Sequence, residues 1–211
     1  MLNREELARK AQETFEERWS RGDPWDVEGS ELDQASYAFQ IGLLGDRRYE
    51  RALEIGCGSG VFTQRLLEVA HRVLAIDIAP SAVERARAAL PDERVEFRVA
   101  NLMDFGVSAD GPWDLIVMSE TIYCLGWLYP LFDLGMLVSD LHAATRPGGR
   151  FLMANTYGEE KDYLLRRWLI DTYRDVFLNV GYRREAEEVF RGSKNGVDFE
   201  ILVTLFAKDG G

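Results

Sequence analysis

Three glycines alternate with other residues in the stretch LEIGCGSGVF (53–62): Gly56, Gly58 and Gly60. An apolar run precedes them and an amphipathic run follows, which marks a strand-to-helix turn. Glycine there permits positive φ and leaves the backbone bare for close approach to a ligand. The spacing is not the dinucleotide fingerprint G-x-G-x-x-G, whose third glycine would fall on Val61. Glu54, an acid inside the apolar run, is costly to bury unless paired. The next apolar run ends in AIDI, and its Asp77 is an acid suited to binding the two hydroxyls of a ribose. A further acid, Glu120, follows the run DLIVMS, with Ser119 before it and Tyr123 shortly after. A carboxylate at the end of a buried strand can hold an amine or accept its proton. The plainer alternative is that Ser119 and Glu120 cap a helix.

The surrounding pattern must position these groups. Residues 3–20 read as a helix, with Leu7, Ala11, Phe15 and Trp19 on one stripe. Pro24, in RGDPWD, breaks it. A second helix is expected over 31–44. Strands and helices then alternate: strands at 51–57, 72–78, 94–100, 114–120 and 150–155, helices at 61–70, 81–90, 130–145 and 162–180. Ser81 with Glu84 three residues on predicts a capping box for the helix over 81–90. His71, at the end of the helix over 61–70, would face that helix's dipole, and His142 reads as structural. Leu164, Leu165, Trp168 and Tyr173 predict a packing stripe. The tail is a hairpin, 182–190 and 198–207, joined by RGSKNG. The pattern implies a doubly wound, mostly parallel α/β sheet ending in an antiparallel hairpin strand.

Composition excludes several classes. A chain of 211 residues holds one sizeable core. Its net charge of −11 argues against nucleic acid or an anionic membrane as partner and favours neutral or cationic small substrates. No apolar run approaches the roughly 18 residues of a membrane span, and MLNREELARK lacks a signal peptide's apolar core. Cys57 and Cys124 form no CxxC and read as reduced thiols, so a cytoplasmic location is expected. With two histidines far apart, no metal is expected.

Five segments, in order, resemble the class I S-adenosylmethionine-dependent methyltransferases: LEIGCGSGVFTQRL, VLAIDIAPSAVERAR, VEFRVANLMDF, WDLIVMSETIYCL and ATRPGGRFLMA. The resemblance covers about 47–155. It implies a seven-stranded Rossmann-like sheet and S-adenosyl-L-methionine as cofactor. It places Gly56, Gly58 and Gly60 against the methionine and ribose, Asp77 on the ribose, and Ile78 on the adenine face. Asn101 and Leu102 would bind the adenine by side-chain oxygen and backbone N–H. Glu54 would lie beside the methionine amino group, with a structural hydrogen bond to the loop as the alternative. Ser119, Glu120 and Tyr123 would border the transferable methyl group. Upstream, DPWD and ELDQASYAFQIGLLGDRRYE are similar to the nodulation-factor N-methyltransferases and their relatives. That resemblance makes residues 1–45 a helical lid on a methyltransferase domain of 46–211. Trp25 and Tyr37 of the lid either touch the cofactor or pack in the core. Cys124 stands where those relatives often carry a second tyrosine, and 155–190 matches no familiar pattern although it should shape the acceptor pocket.

The function implied is methyl transfer to a small-molecule acceptor, foremost an amine such as an amino sugar or another secondary metabolite. O-methylation of a hydroxylated metabolite, or a catalytically silent cofactor-binding subunit, are the alternatives. A monomer or homodimer is expected.

Overall fold

The computed structural model describes residues 4–158 and 163–210. Two helices, α1 (Arg4–Trp19) and α2 (Glu31–Leu44), precede an alternating core. The core runs β1 (Tyr49–Ile55), α3 (Val61–Leu66), β2 (Ala70–Asp77), α4 (Pro80–Ala89), β3 (Val95–Val99) and β4 (Trp113–Ser119). It continues with α5 (Ile122–Leu128), α6 (Leu131–Ala144), β5 (Thr145–Tyr157), α7 (Arg167–Val180), β6 (Arg183–Lys194) and β7 (Val197–Ala207). The sheet order is β3-β2-β1-β4-β5-β7-β6. β1 to β5 pair in parallel, and β7 pairs antiparallel with both β5 and β6. This is the doubly wound, mostly parallel seven-stranded sheet expected from the sequence.

Side chains alternate across each strand and so feed two apolar layers. Leu53, Ile76, Ile116, Met118 and Phe151 face Leu137, Leu141, Ile170 and Phe177 from α6 and α7. Val73, Ala75, Leu115, Val117 and Leu152 face Leu44, Leu66, Val83 and Ala86 from α2, α3 and α4. With helices on both faces, the central strands read as nearly continuous apolar runs. The chain winds outward from β1 through β2 to β3, and from β4 to β5 in the other direction. Ligands of such sheets bind where the winding reverses, beyond the carboxyl ends of β1 and β4.

Several local expectations differ from the structure. The predicted capping box is absent. Ala79 is the N-cap of α4 and Pro80 its first residue, because Pro has no N–H to satisfy and its φ suits a helix start. The role of capping carboxylate passes to Glu16 of α1, which accepts from the Ser81 amide at 3.0 Å and from the Ser81 hydroxyl. α3 stops at Leu66, so His71 lies exposed in β2 and faces no helix end. The hairpin turn is only Asn195-Gly196, both with positive φ (53° and 77°), as the right-handed twist of the flanking strands requires. RGSK belongs to β6, and RPGG lies inside β5 beside a register shift. Residue 162, the expected start of the last helix, falls outside the described residues, and α7 begins at Arg167. Trp168 leaves the predicted stripe and is 63% exposed, while Tyr173 is buried.

Candidate active site

A cavity of about 530 Å³ opens at that reversal, a size typical of small-molecule sites. Its first wall is the turn after β1. Gly56 (φ 78°) and Gly58 (φ 52°) are left-handed, and the amides of Gly56 and Cys57 both donate to the Ile76 carbonyl, at 2.8 and 3.0 Å. A Cβ on Gly56 would collide with Thr121, so this glycine lets the ends of β1 and β4 approach. A Cβ on Gly58 would stand 2.9 Å from the Trp19 indole of α1. Gly58 therefore lies beneath the N-terminal helix. Asp77, at the end of β2, accepts from the Gly58 amide (3.0 Å) and the Ala79 amide (2.9 Å). Burial raises the Asp77 pKa and these amides oppose the rise.

The second wall is N-terminal. Trp19 and Trp25 meet edge to face at 5.6 Å and both line the cavity. Glu16 holds α1 to α4, and Glu28 bonds Arg85 of α4, with one contact at 2.9 Å. Lys194, at the end of β6, donates to the carbonyls of Trp25 (2.8 Å) and Asp26 (3.0 Å) and to Asp33 Oδ2 (3.0 Å). The N-terminal segment is thus tied to α4 on one side and to β6 on the other.

The third wall follows β4. Glu120 has φ 54°, rare for a residue with a Cβ. That backbone is fixed by its amide, which donates to the Ala154 carbonyl at 2.8 Å. Glu120 Oε2 accepts from the Thr156 amide at 3.0 Å, whereas Oε1 is buried without a hydrogen bond. Burial lifts the Glu120 pKa to about 7, against the Thr156 and Tyr123 contacts that favour the charged form. The helix-cap alternative does not hold: Thr121 is the N-cap of α5, and its hydroxyl turns back to the carbonyls of Ile55 (3.2 Å) and Ser119 (2.9 Å). Tyr123 is half-buried beside Glu120, and desolvation, then that charge, raises its pKa. Tyr37 of α2 packs on Phe62 at 4.8 Å. Its pKa is raised by burial, then by Asp33 and Glu120.

Trp25, Tyr37, Gly56, Gly58, Asp77, Ile78, Asn101, Leu102, Ser119, Glu120 and Tyr123 all line this one cavity. Glu54 and Gly60 do not. Glu54 is buried below the turn and accepts from the Thr63 hydroxyl of α3 at 2.5 Å, and burial pushes its pKa to about 8. The bond is structural, but it goes to α3 and not to the glycine loop as the alternative had it. A Cβ on Gly60 would meet Ala86 and Phe97, so that glycine serves packing of the turn against α4 and β3. Asn101 Oδ1 accepts from the Met103 amide at 3.1 Å and its Nδ2 donates to the Tyr129 hydroxyl at 3.1 Å. Sequence reasoning missed Asp33, Lys194, Phe199 and Ile201, which also line the cavity. No local motif marks them: Phe199 and Ile201 arrive on the antiparallel return of β7, Lys194 at the end of β6 and Asp33 in the first turn of α2. Thr156, Leu164 and Leu165 come from the segment expected to shape the acceptor pocket. Among the described residues no group of acids, histidines or cysteines could hold a metal, and no helix is long and apolar enough to cross a membrane.

Residues 53–153 match the methyltransferase domain family. The chain is 30% identical to nodulation protein S of Rhizobium tropici over 69% of its own length and 58% of that protein's, less than two thirds of the relative. It is 25% identical to nodulation protein S of Bradyrhizobium diazoefficiens over 90% of this chain and 88% of that one. The solved structure of the N-methyltransferase NodS from Bradyrhizobium japonicum WM9, in complex with S-adenosylhomocysteine, superposes with a TM-score of 0.78 at 21% identity, covering 94% and 98% of the two chains. Residues 53–153 thus carry the sequence of a methyltransferase domain, and the chain as a whole shares the fold of NodS. Within the methyltransferase fold the cavity occupies the expected crevice, with the glycine turn and Asp77 on one side of β4 and Thr156 and Ile201 on the other.

Proposed function

We propose that this chain transfers a methyl group from S-adenosylmethionine to the nitrogen of a small-molecule amine. The residues fit the cofactor. The turn at Gly56–Gly58 exposes backbone on both sides of Cys57, and Asp77 is fixed by the Gly58 and Ala79 amides. The hydroxyls of Ser59 and Ser119 line the cavity, buried and without a hydrogen bond. Asp77 and Gly58 would hold the ribose, Ile78, Asn101 and Leu102 the adenine, and Gly56 and Ser119 the methionine chain. Residues 1–45 would close over it, with Trp19 and Trp25 as the cover. When bound, the cofactor supplies a methyl group already activated by a sulfonium.

The protein then needs alignment and dryness more than covalent chemistry. Well-oriented pairs reach effective molarities of about 10⁵ to 10⁸ M. What favours nitrogen is Glu120, whose Oε1 is buried, free of hydrogen bonds and pointed by a rigid backbone. An amine arrives protonated and must lose a proton to attack. A carboxylate whose pKa lies near 7 both binds the cation and accepts that proton. Tyr37 and Tyr123 wall the same carboxylate. Calorimetric titration is expected to give one S-adenosylhomocysteine per chain; preference for NAD would sink the cofactor assignment. Turnover of labelled S-adenosylmethionine should occur with amines and not with phenols of equal size. The reverse ranking would make this an O-methyltransferase.

A further inference from the structure

The two halves of the cavity differ in what they leave unpaired. Sheet order separates them: the glycine turn, Asp77 and Asn101 stand at β1, β2 and β3, whereas Thr156 and Ile201 pair across β5 and β7. In the second half two of the strongest donors are already committed. Lys194 donates to three oxygens, one of them on Asp33, which uses all its protons. The Thr156 amide is taken by Glu120. Leu164, Leu165, Phe199 and Ile201 give that wall a continuous apolar stretch, with the rings of Tyr37, Tyr123 and Trp127 beside it. Glu120 Oε1 is the strong acceptor left without a partner there, beside the two tyrosine phenols.

We propose that the acceptor is an apolar amine, an aromatic or branched hydrocarbon body carrying one primary or secondary nitrogen, rather than a polyhydroxylated amino sugar. This rests on the reading of Glu120 as the amine-binding group. Each hydroxyl of a sugar ring buried against Leu164, Leu165, Phe199 and Ile201 would lack a partner, at about 1–3 kcal/mol each. The apolar wall gains instead from burying hydrocarbon. The nitrogen would meet Glu120 Oε1, and the body would lie against Phe199 and the two leucines. In the transfer the nitrogen lone pair forms the new N–C bond and the S–C bond breaks toward sulfur. One N–H proton passes to Glu120 Oε1.

The test compares 2-phenylethylamine with glucosamine, as turnover with S-adenosylmethionine and as calorimetric binding to the S-adenosylhomocysteine complex. We expect kcat/KM and affinity at least 10²-fold higher for 2-phenylethylamine. Phe199→Ser should lower both by about 10-fold for this amine and leave S-adenosylhomocysteine affinity unchanged. Equal or stronger use of glucosamine overturns the proposal while leaving N-methylation intact. Binding of neither amine overturns it as well. If 2-phenylethylamine binds and Phe199→Ser weakens it, but Glu120→Gln does not alter its binding or turnover, the apolar wall survives and the role of Glu120 fails.

Discussion

The half of the cavity proposed for the cofactor and the half proposed for the acceptor are built by different means. Around Gly56, Gly58 and Asp77 the ligand surface is backbone: left-handed turns, and amides ordered by one carboxylate. Around Glu120 it is side chains, gathered from α2, β4, α5, β5 and the β6–β7 hairpin. A backbone surface constrains a short contiguous segment; a side-chain surface constrains positions scattered over the chain. The first should therefore be intolerant of any Cβ, and the second tunable residue by residue.

The sharpest way to break this contrast is Gly58→Val. Its φ of 52° and the Trp19 indole leave no room for a branched side chain. We expect S-adenosylhomocysteine binding to fall by 10³-fold or more in calorimetry, with a native-like circular dichroism spectrum. Retained binding would mean that the turn only supports packing. Glu120→Gln should do the converse. Cofactor affinity should stay nearly intact and kcat should fall by about 10², with kcat/KM falling equally for a contact made in the transition state. In the native enzyme kcat/KM should rise with pH through about 7 as Glu120 ionises, and that limb should vanish in the variant. A loss confined to cofactor affinity would move Glu120 to the first half.

The same contrast explains what was legible in the sequence. The strand alternation, the glycine turn and Asp77 are local signals, each a few residues long. The mostly parallel sheet and its antiparallel hairpin follow from patterning and from the family resemblance. Glu120 was visible because it ends a buried strand. Lys194, Asp33 and Phe199 were not, because their meeting depends on tertiary register: Lys194 ends β6 while Asp33 sits in the first turn of α2. The capping box failed for a similar reason. Ser81 and Glu84 have the right spacing, but Pro80 starts the helix earlier and Glu16 arrives from α1. A sequence motif records local chemistry and cannot record a partner from another element.

Glu54 offers a smaller effect that separates support from contact. It lies under the cofactor half yet outside the cavity. Its pKa of about 8, against 4.5 ordinarily, means that the folded chain holds this proton more tightly than the unfolded chain does. The stability from neutral Glu54 is fully present below pH 4.5 and is lost as pH rises through about 8. The native midpoint of thermal unfolding should therefore fall across this window by several degrees. Glu54→Gln keeps an acceptor for Thr63 and should flatten much of that slope, with little change in S-adenosylhomocysteine affinity. A large loss of affinity instead would make Glu54 a cofactor ligand.

The smallest expected effect asks whether the halves communicate. Lys194 fastens the N-terminal segment, by the carbonyls of Trp25 and Asp26, to the hairpin that forms the acceptor wall. It also pairs Asp33, and both side chains are only 19% exposed. Such a partly shielded pair is worth about 1 kcal/mol, which corresponds to roughly 5-fold in an equilibrium. Lys194→Met keeps the stem and removes the three donated bonds. Residues 23–33 should then exchange amide hydrogens faster, and the acceptor KM should rise about 5-fold while kcat changes little. S-adenosylhomocysteine should still protect the segment, because Glu16 and the Trp19–Gly58 contact anchor it to the cofactor half. If the variant instead loses cofactor affinity in the same proportion, closure over the two ligands is a single event, and the two halves differ in construction but not in energetics.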